Sequence, residues 1–147
     1  MKHKAIITVK GQMAGENGDA PQTVELVTEG IVYEKEGKTY ITYHESEVTG
    51  MDGTRTLIKV APEKIVISRT GTINSQMIFE AGKRNDSYYD TQYGGFTISI
   101  HTLAYQVACE DQAVAFHVLY ELDFNGAPTG ENSLSVRAEK VEGRLQQ

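Results

Sequence analysis

Arg69 stands at the end of an apolar run, just before a chain reversal, in the segment RTGTINSQMIF that spans 69–79. A guanidinium there has three chemical uses: a solvated surface charge, half of an internal ion pair, or the anchor of an anionic ligand. Its planar fork of N–H donors suits the last use, because it grips an acid group bidentately. The carboxylates placed to pair with it are Glu45 and Glu47. Tyr88, Tyr89 and Tyr93 cluster in SYYDTQYGGF, where they either line a pocket mouth and hydrogen-bond an amphipathic ligand or fill the end of a fold. His101, His117 and Glu121 come nearest to a zinc set, but no recognised ligand spacing joins them and no metal is assigned.

Known catalytic signatures are missing. The chain has no GxSxG elbow, no phosphate loop and no dinucleotide fingerprint. An enzyme assembled from Arg69 with nearby Tyr and Glu is therefore the least supported reading, and no cofactor is implied. A net charge of −6 argues against nucleic acid or an anionic membrane as partner, since binding phosphates needs clustered Lys and Arg. No apolar run approaches membrane-spanning length, and the start MKHKAIITVKGQ is too polar for a signal-peptide core. Cys109 is the single cysteine, so no intrachain disulfide forms, which suits a reducing cytoplasm.

The elements that must position these side chains are strands. Val114, Phe116, Val118, Tyr120, Leu122 and Phe124 occupy every second position, which places them on one face of a strand and would scatter them around a helix. Leu134, Val136 and Ala138 alternate likewise, as do Phe96, Ile98 and Ile100. Turn signals fall at Glu36-Gly37, 50–53, Pro62-Glu63, Ala81-Gly82, Gly94-Gly95 and Asn125-Gly126. Apolar parity switches from even positions up to Ile100 to odd positions from Leu103 to Cys109, which predicts a β-bulge near 101–103. A tight turn at Glu110-Asp111 would then set Val107 opposite Val114 and Ile100 opposite Tyr120, with His101 and His117 as outward diagonal neighbours. The 147 residues fit one domain with a sizeable core, and nine or ten short hairpin-linked strands predict an antiparallel meander closed into a barrel. Residues 11–22, GQMAGENGDAPQ, form the longest unpatterned loop, either a connector or a lid.

Pairing across Pro62-Glu63 puts Val60 with Ile65, Ile58 with Ile67 and Thr56 with Arg69, so Arg69 shares the buried face. A turn at Glu36-Gly37 brings Tyr43 opposite Gly30 and Glu45 opposite Thr28, on the face that Val32 and Ile41 continue. An inward arginine more often meets a protein carboxylate than a ligand, because a buried charge needs a partner. Both readings stay open on the sequence, with the ion pair ahead.

The strings VELVTEGIVYEKEGKTYITYHESEVTGMDGT, RTGTINSQMIFEAGK, and YYDTQYGGF before YELDFNG resemble the YwiB-like family of small bacterial proteins over roughly 6–141. Gln92 stands where that pattern has proline. The resemblance implies a calycin-type barrel, of the group that includes lipocalins and fatty-acid-binding proteins, and carries over no site residue. Kinship of that kind suggests a cavity and a small ligand by analogy only. The expectation is thus a cytoplasmic, lipocalin-like barrel binding a small amphipathic or anionic molecule, with Arg69, Glu45, Tyr43, Tyr89 and Tyr93 as the site. The alternative is a non-catalytic structural or adaptor module that acts through its surface or as a homodimer.

Overall fold

Every alternating segment of the sequence forms a strand in the computed structural model, which describes residues 2–15 and 20–141. The strands are β1 (Lys2–Met13), β2 (Gln22–Lys35), β3 (Lys38–His44), β4 (Thr54–Val60), β5 (Lys64–Gly71), β6 (Asn74–Glu80), β7 (Arg84–Thr91), β8 (Gly94–Cys109), β9 (Ala113–Phe124) and β10 (Ala127–Lys140). Each pairs antiparallel with its chain neighbours, and β1 closes the sheet against β10. The result is the expected all-β meander barrel. Four connections (45–53, 72–73, 92–93 and 125–126) gather at what we term the upper end, where β1 also ends and β2 begins, and four more lie at the lower end.

Closure removes most of the free edges that would otherwise pair with other chains, the β6–β7 seam excepted. It also gives the alternation its physical purpose, because one face of every strand is withdrawn from water. Ile7, Ile41, Ile58, Ile65, Ile67, Phe79, Ile100 and Val118 are fully buried there. Each such side chain contributes about 1.5–3 kcal/mol of burial energy. Phe79 and Tyr120 meet edge to face across the interior, with ring centroids 5.0 Å apart.

Turn chemistry fixes most of the register. Glu36 and Gly37 both have positive φ, as do Asn125 and Gly126, which is the backbone twist a two-residue hairpin requires. The Pro62-Glu63 hairpin gives Val60↔Ile65, Ile58↔Ile67 and Thr56↔Arg69, as its sequence predicts. Gly94 and Gly95 are not a turn but the start of β8; the reversal falls at Gln92 and Tyr93, with Thr91 opposite Gly94.

The long β8–β9 hairpin departs from expectation in register. Its bulge lies between Thr102 and Ala104, inside the predicted region, but Cys109 faces Val114 and Thr102 faces Tyr120, a slide of two residues. The Glu110 N–H donates to the Ala113 carbonyl at 2.8 Å, so the turn centres one residue later than expected. A two-residue slide leaves each side chain on its own face, and the apolar pattern alone cannot choose between the two registers. His101 consequently lies opposite Glu121 and His117 opposite Gln106, so the two imidazoles are not neighbours.

One seam is weakly closed. β6 and β7 pair only at Asn74↔Asp90 and Ser75↔Tyr89, and beyond them the Ser87 hydroxyl donates to the Gln76 carbonyl.

Candidate functional site

A single rung of the barrel runs Tyr43, Thr56, Arg69, Ser75, Tyr89 through five consecutive strands, β3 to β7. Directly opposed side chains on one face of an antiparallel pair lie about 4.5–5.5 Å apart at Cβ. The rung therefore brings Tyr43, Arg69 and Tyr89 onto one interior band near the upper end. Glu45 reaches the same band from just beyond β3. Its N–H donates to the Thr54 carbonyl at 2.8 Å, which folds the loop inward. The Ser46 hydroxyl then caps the 3₁₀ turn Glu47–Thr49 by accepting from the Val48 N–H, and Gly50 at φ 75° ends it.

The Glu45 side chain is 1% exposed and Arg69 is 12% exposed, with Arg69 Nε 3.8 Å from Glu45 Oε2. Thr56 Oγ1 donates to the same Oε2 at 2.5 Å, and Arg69 Nη1 contacts Met77 Sδ at 3.3 Å. The ion pair that desolvation demands is present, but it is loose. Glu45 Oε1, Arg69 Nε and Ser75 Oγ have no protein hydrogen-bond partner although all are buried. Thr102 Oγ1 and Asn85 Nδ2 are in the same condition on β8 and β7. Buried polar atoms are nearly always satisfied by protein, water or a bound group, so this band has unused hydrogen-bonding capacity.

The phenols around the pair are held protonated. Burial raises the pKa of Tyr43, the neighbouring Glu45 charge raises it further, and Arg69 opposes both. Burial also raises that of Tyr120, again opposed by Arg69. At neutral pH both are neutral groups that lend no charge to the site.

Tyr93 lies elsewhere: it is 87% exposed in the β7–β8 turn, outside the interior band. Glu47 points away with the 3₁₀ turn, and none of that turn's residues is buried. Met77 and Ser75 join the band although the sequence does not single them out. Their signal is the reversal after Arg69, which folds Ser75 back opposite it, but Thr72 and Ile73 at that turn carry no turn chemistry. Away from the band, a hollow of about 430 Å³ lies at the upper end between Met13, Gln22, Leu122 and Asn132, on β1, β2, β9 and β10. The loop beside it is tied down where the Ala14 N–H donates to Asn132 Oδ1 at 2.9 Å; positions 16–19 of that loop lie outside the described residues. Among the described residues, no group of three or more His, Cys, Asp and Glu side chains converges on a metal geometry, and no helix is long and apolar enough to cross a membrane.

Together the closed meander and its inward ion pair define a ten-stranded β-barrel protein with a buried polar band. The family profile described as "Domain of unknown function (DUF1934)" matches residues 7–136, and the chain belongs to that family. It is 22% identical over 122 residues to the uncharacterized beta-barrel protein YwiB of Bacillus subtilis (strain 168), covering 83% of this chain and 84% of that protein. The crystal structure of the Bacillus subtilis ywiB protein superposes with a TM-score of 0.82 at 18% identity, over 95% of this chain and 93% of the other. That likeness shows the fold.

Proposed function

We propose that the barrel is a non-catalytic carrier or sensor of a small amphipathic or anionic molecule whose head group docks at Arg69 and Glu45. The observation that supports this is the pair of buried atoms, Arg69 Nε and Glu45 Oε1, that the protein leaves without hydrogen-bond partners. Leaving such an atom unsatisfied costs about 1–3 kcal/mol, which a ligand recovers by supplying the missing partner. Arg69 Nε asks for an acceptor and Glu45 Oε1 for a donor. A bare anion would meet Glu45 repulsively, so the fitting head group carries an acid oxygen and an N–H or O–H together. Fold analogy with calycin-type carriers points the same way and is the weaker support.

The adaptor or homodimer reading has its own observation. Ile6 and Val27, 39% and 60% exposed, are diagonal neighbours on the outer wall of β1 and β2. Native mass spectrometry of protein purified from its own host cells separates the readings. A stoichiometric small molecule released on denaturation supports the carrier. A bare dimer, or a complex with another protein, supports the surface module instead.

A further inference from the structure

A broad concavity lies on the outer wall, where a barrel is normally convex. It is open to solvent and measures about 790 Å³ over β8, β9, β10 and β1. Two rungs explain it. In one, Ala108 faces Ala115, Ala115 faces Arg137, and Arg137 faces Thr8. In the next, Gln106 faces His117, His117 faces Ser135, and Ser135 faces Lys10. Short side chains (Ala108, Ala115, Thr8 and Ser135) form the floor, and long ones (Lys10, Arg137, Gln106 and His117) form the walls.

Charge sets this basin apart from the rest of the molecule. The chain carries 20 Asp and Glu against 14 Lys and Arg, yet no carboxylate lines the basin, while Lys10 and Arg137 both do. They are diagonal neighbours across β1 and β10, a spacing of about 7–8 Å at Cα that one acid group can bridge. Each has a carboxylate behind it: Glu25 lies opposite Lys10 on β2, and Glu139 Oε2 is 3.3 Å from Arg137 Nη2. Both Arg137 and Glu139 are more than half exposed, and such a surface pair gives way to a better acceptor at little cost. His117 Nδ1 is engaged with Ser135 Oγ at 2.6 Å, which fixes the ring and leaves Nε2 for a ligand. A volume of this size, a floor of short side chains with an apolar patch at Ala108 and Ala115, and a few convergent polar groups resemble the anatomy of a small-molecule site.

We propose that this basin is a second binding site, independent of Arg69, for a small amphipathic anion. Its aryl or short acyl body lies on Ala108 and Ala115. Its carboxylate or sulfonate bridges Lys10 and Arg137, with Gln106 and His117 as further hydrogen-bond partners.

The test is an amide NMR titration of the full chain with 8-anilinonaphthalene-1-sulfonate, in wild type, Lys10→Glu/Arg137→Glu, Ala108→Gln and Arg69→Lys. The expected result is saturable shifts at Gln106, Ala108, Ala115, His117 and Ser135. Affinity should fall about tenfold or more in the charge-reversed double variant and in Ala108→Gln, which fills the floor without changing charge. Arg69→Lys should leave it within about twofold. Shifts confined to Tyr43, Thr56 and Ser75 and abolished by Arg69→Lys would overturn the outer site while leaving the inner one standing. Saturable basin shifts with no response to Arg69→Lys do the reverse for this probe. Absence of saturable shifts anywhere overturns both.

Discussion

Replacing Arg69 with methionine strands a carboxylate. The Glu45 side chain is 1% exposed, and the substitution leaves it with the Thr56 hydroxyl and the neighbouring neutral Tyr43 phenol but no opposing charge. Removing one member of a buried ion pair costs about 3–5 kcal/mol, most of it the penalty of the charge left behind. Here the pair is long, at 3.8 Å, and Arg69 Nε makes no hydrogen bond, so the cost should sit at or just under the bottom of that range, about 2–3 kcal/mol. Urea slopes for small proteins run at about 1–3 kcal/mol per M, so at a mid-range slope of about 2 the midpoint should fall by about 1–1.5 M with the slope unchanged. Removing the charge as well, in Arg69→Met/Glu45→Gln, should return stability to within about 1 kcal/mol of wild type. The double-mutant cycle read by urea denaturation is therefore expected to be strongly non-additive. An Arg69→Met cost that is the same in the wild-type and Glu45→Gln backgrounds, or one below about 0.5 kcal/mol, would refute the reasoning that these two charges depend on each other.

Three further expectations follow from the packing and the burial. A Cβ added at Gly30 would collide with Ile7 Cδ1 and the Thr42 carbonyl oxygen, whereas one at Gly95 would meet only the phenol end of exposed Tyr88. Gly30→Ala should thus cost about 3 kcal/mol in denaturation and Gly95→Ala under about 1, the difference being whether the neighbour can move. Ultraviolet titration should find Tyr43, Tyr105 and Tyr120 ionising late, with Tyr105 pushed up to about 12 by burial and by the nearby Glu63 and Cys109 charges. Since the fold keeps these protons where the unfolded chain has lost them, their contribution is whole below about pH 10 and drains away as pH rises above it. Alkaline unfolding should release them together. Amide hydrogen exchange should be faster in 76–80 and 84–87 than in β1 and β2, because β6 and β7 share two paired positions and β1 and β2 share twelve. Uniform protection around the barrel would count against the open seam.

How far the sequence reaches depends on which force sets each feature. The β4–β5 register is legible to the residue because Pro62-Glu63 names its own turn and the apolar pairs on either side agree. The bulge at Leu103 is legible because inserting a residue flips parity, and parity is written in the apolar pattern. The two-residue slide of β8 on β9 is not, since it changes neither face nor composition. Arg69 can be assigned to the interior, and its partner narrowed to Glu45 or Glu47, from the two flanking hairpins alone; the structure selects Glu45. The looseness of the pair cannot be read there, because 3.8 Å against a hydrogen-bonded distance is decided by how Thr56, Met77 and the 3₁₀ turn pack around them. Tyr93 falls outside the band for a local reason: the glycine pair that reads as the turn is accommodated inside β8, and the tyrosine becomes the turn itself. The outer basin is invisible in the sequence because it depends on which short residues of four strands fall on adjacent rungs, a long-range fact.

The most direct test of the central claim is a high-resolution crystal structure of the protein isolated from its own cells without refolding. Non-protein density is expected within about 3 Å of both Arg69 Nε and Glu45 Oε1, continuous with a small molecule. Ordered water alone on those atoms, or Arg69 and Glu45 closed into a fully hydrogen-bonded pair, would contradict it.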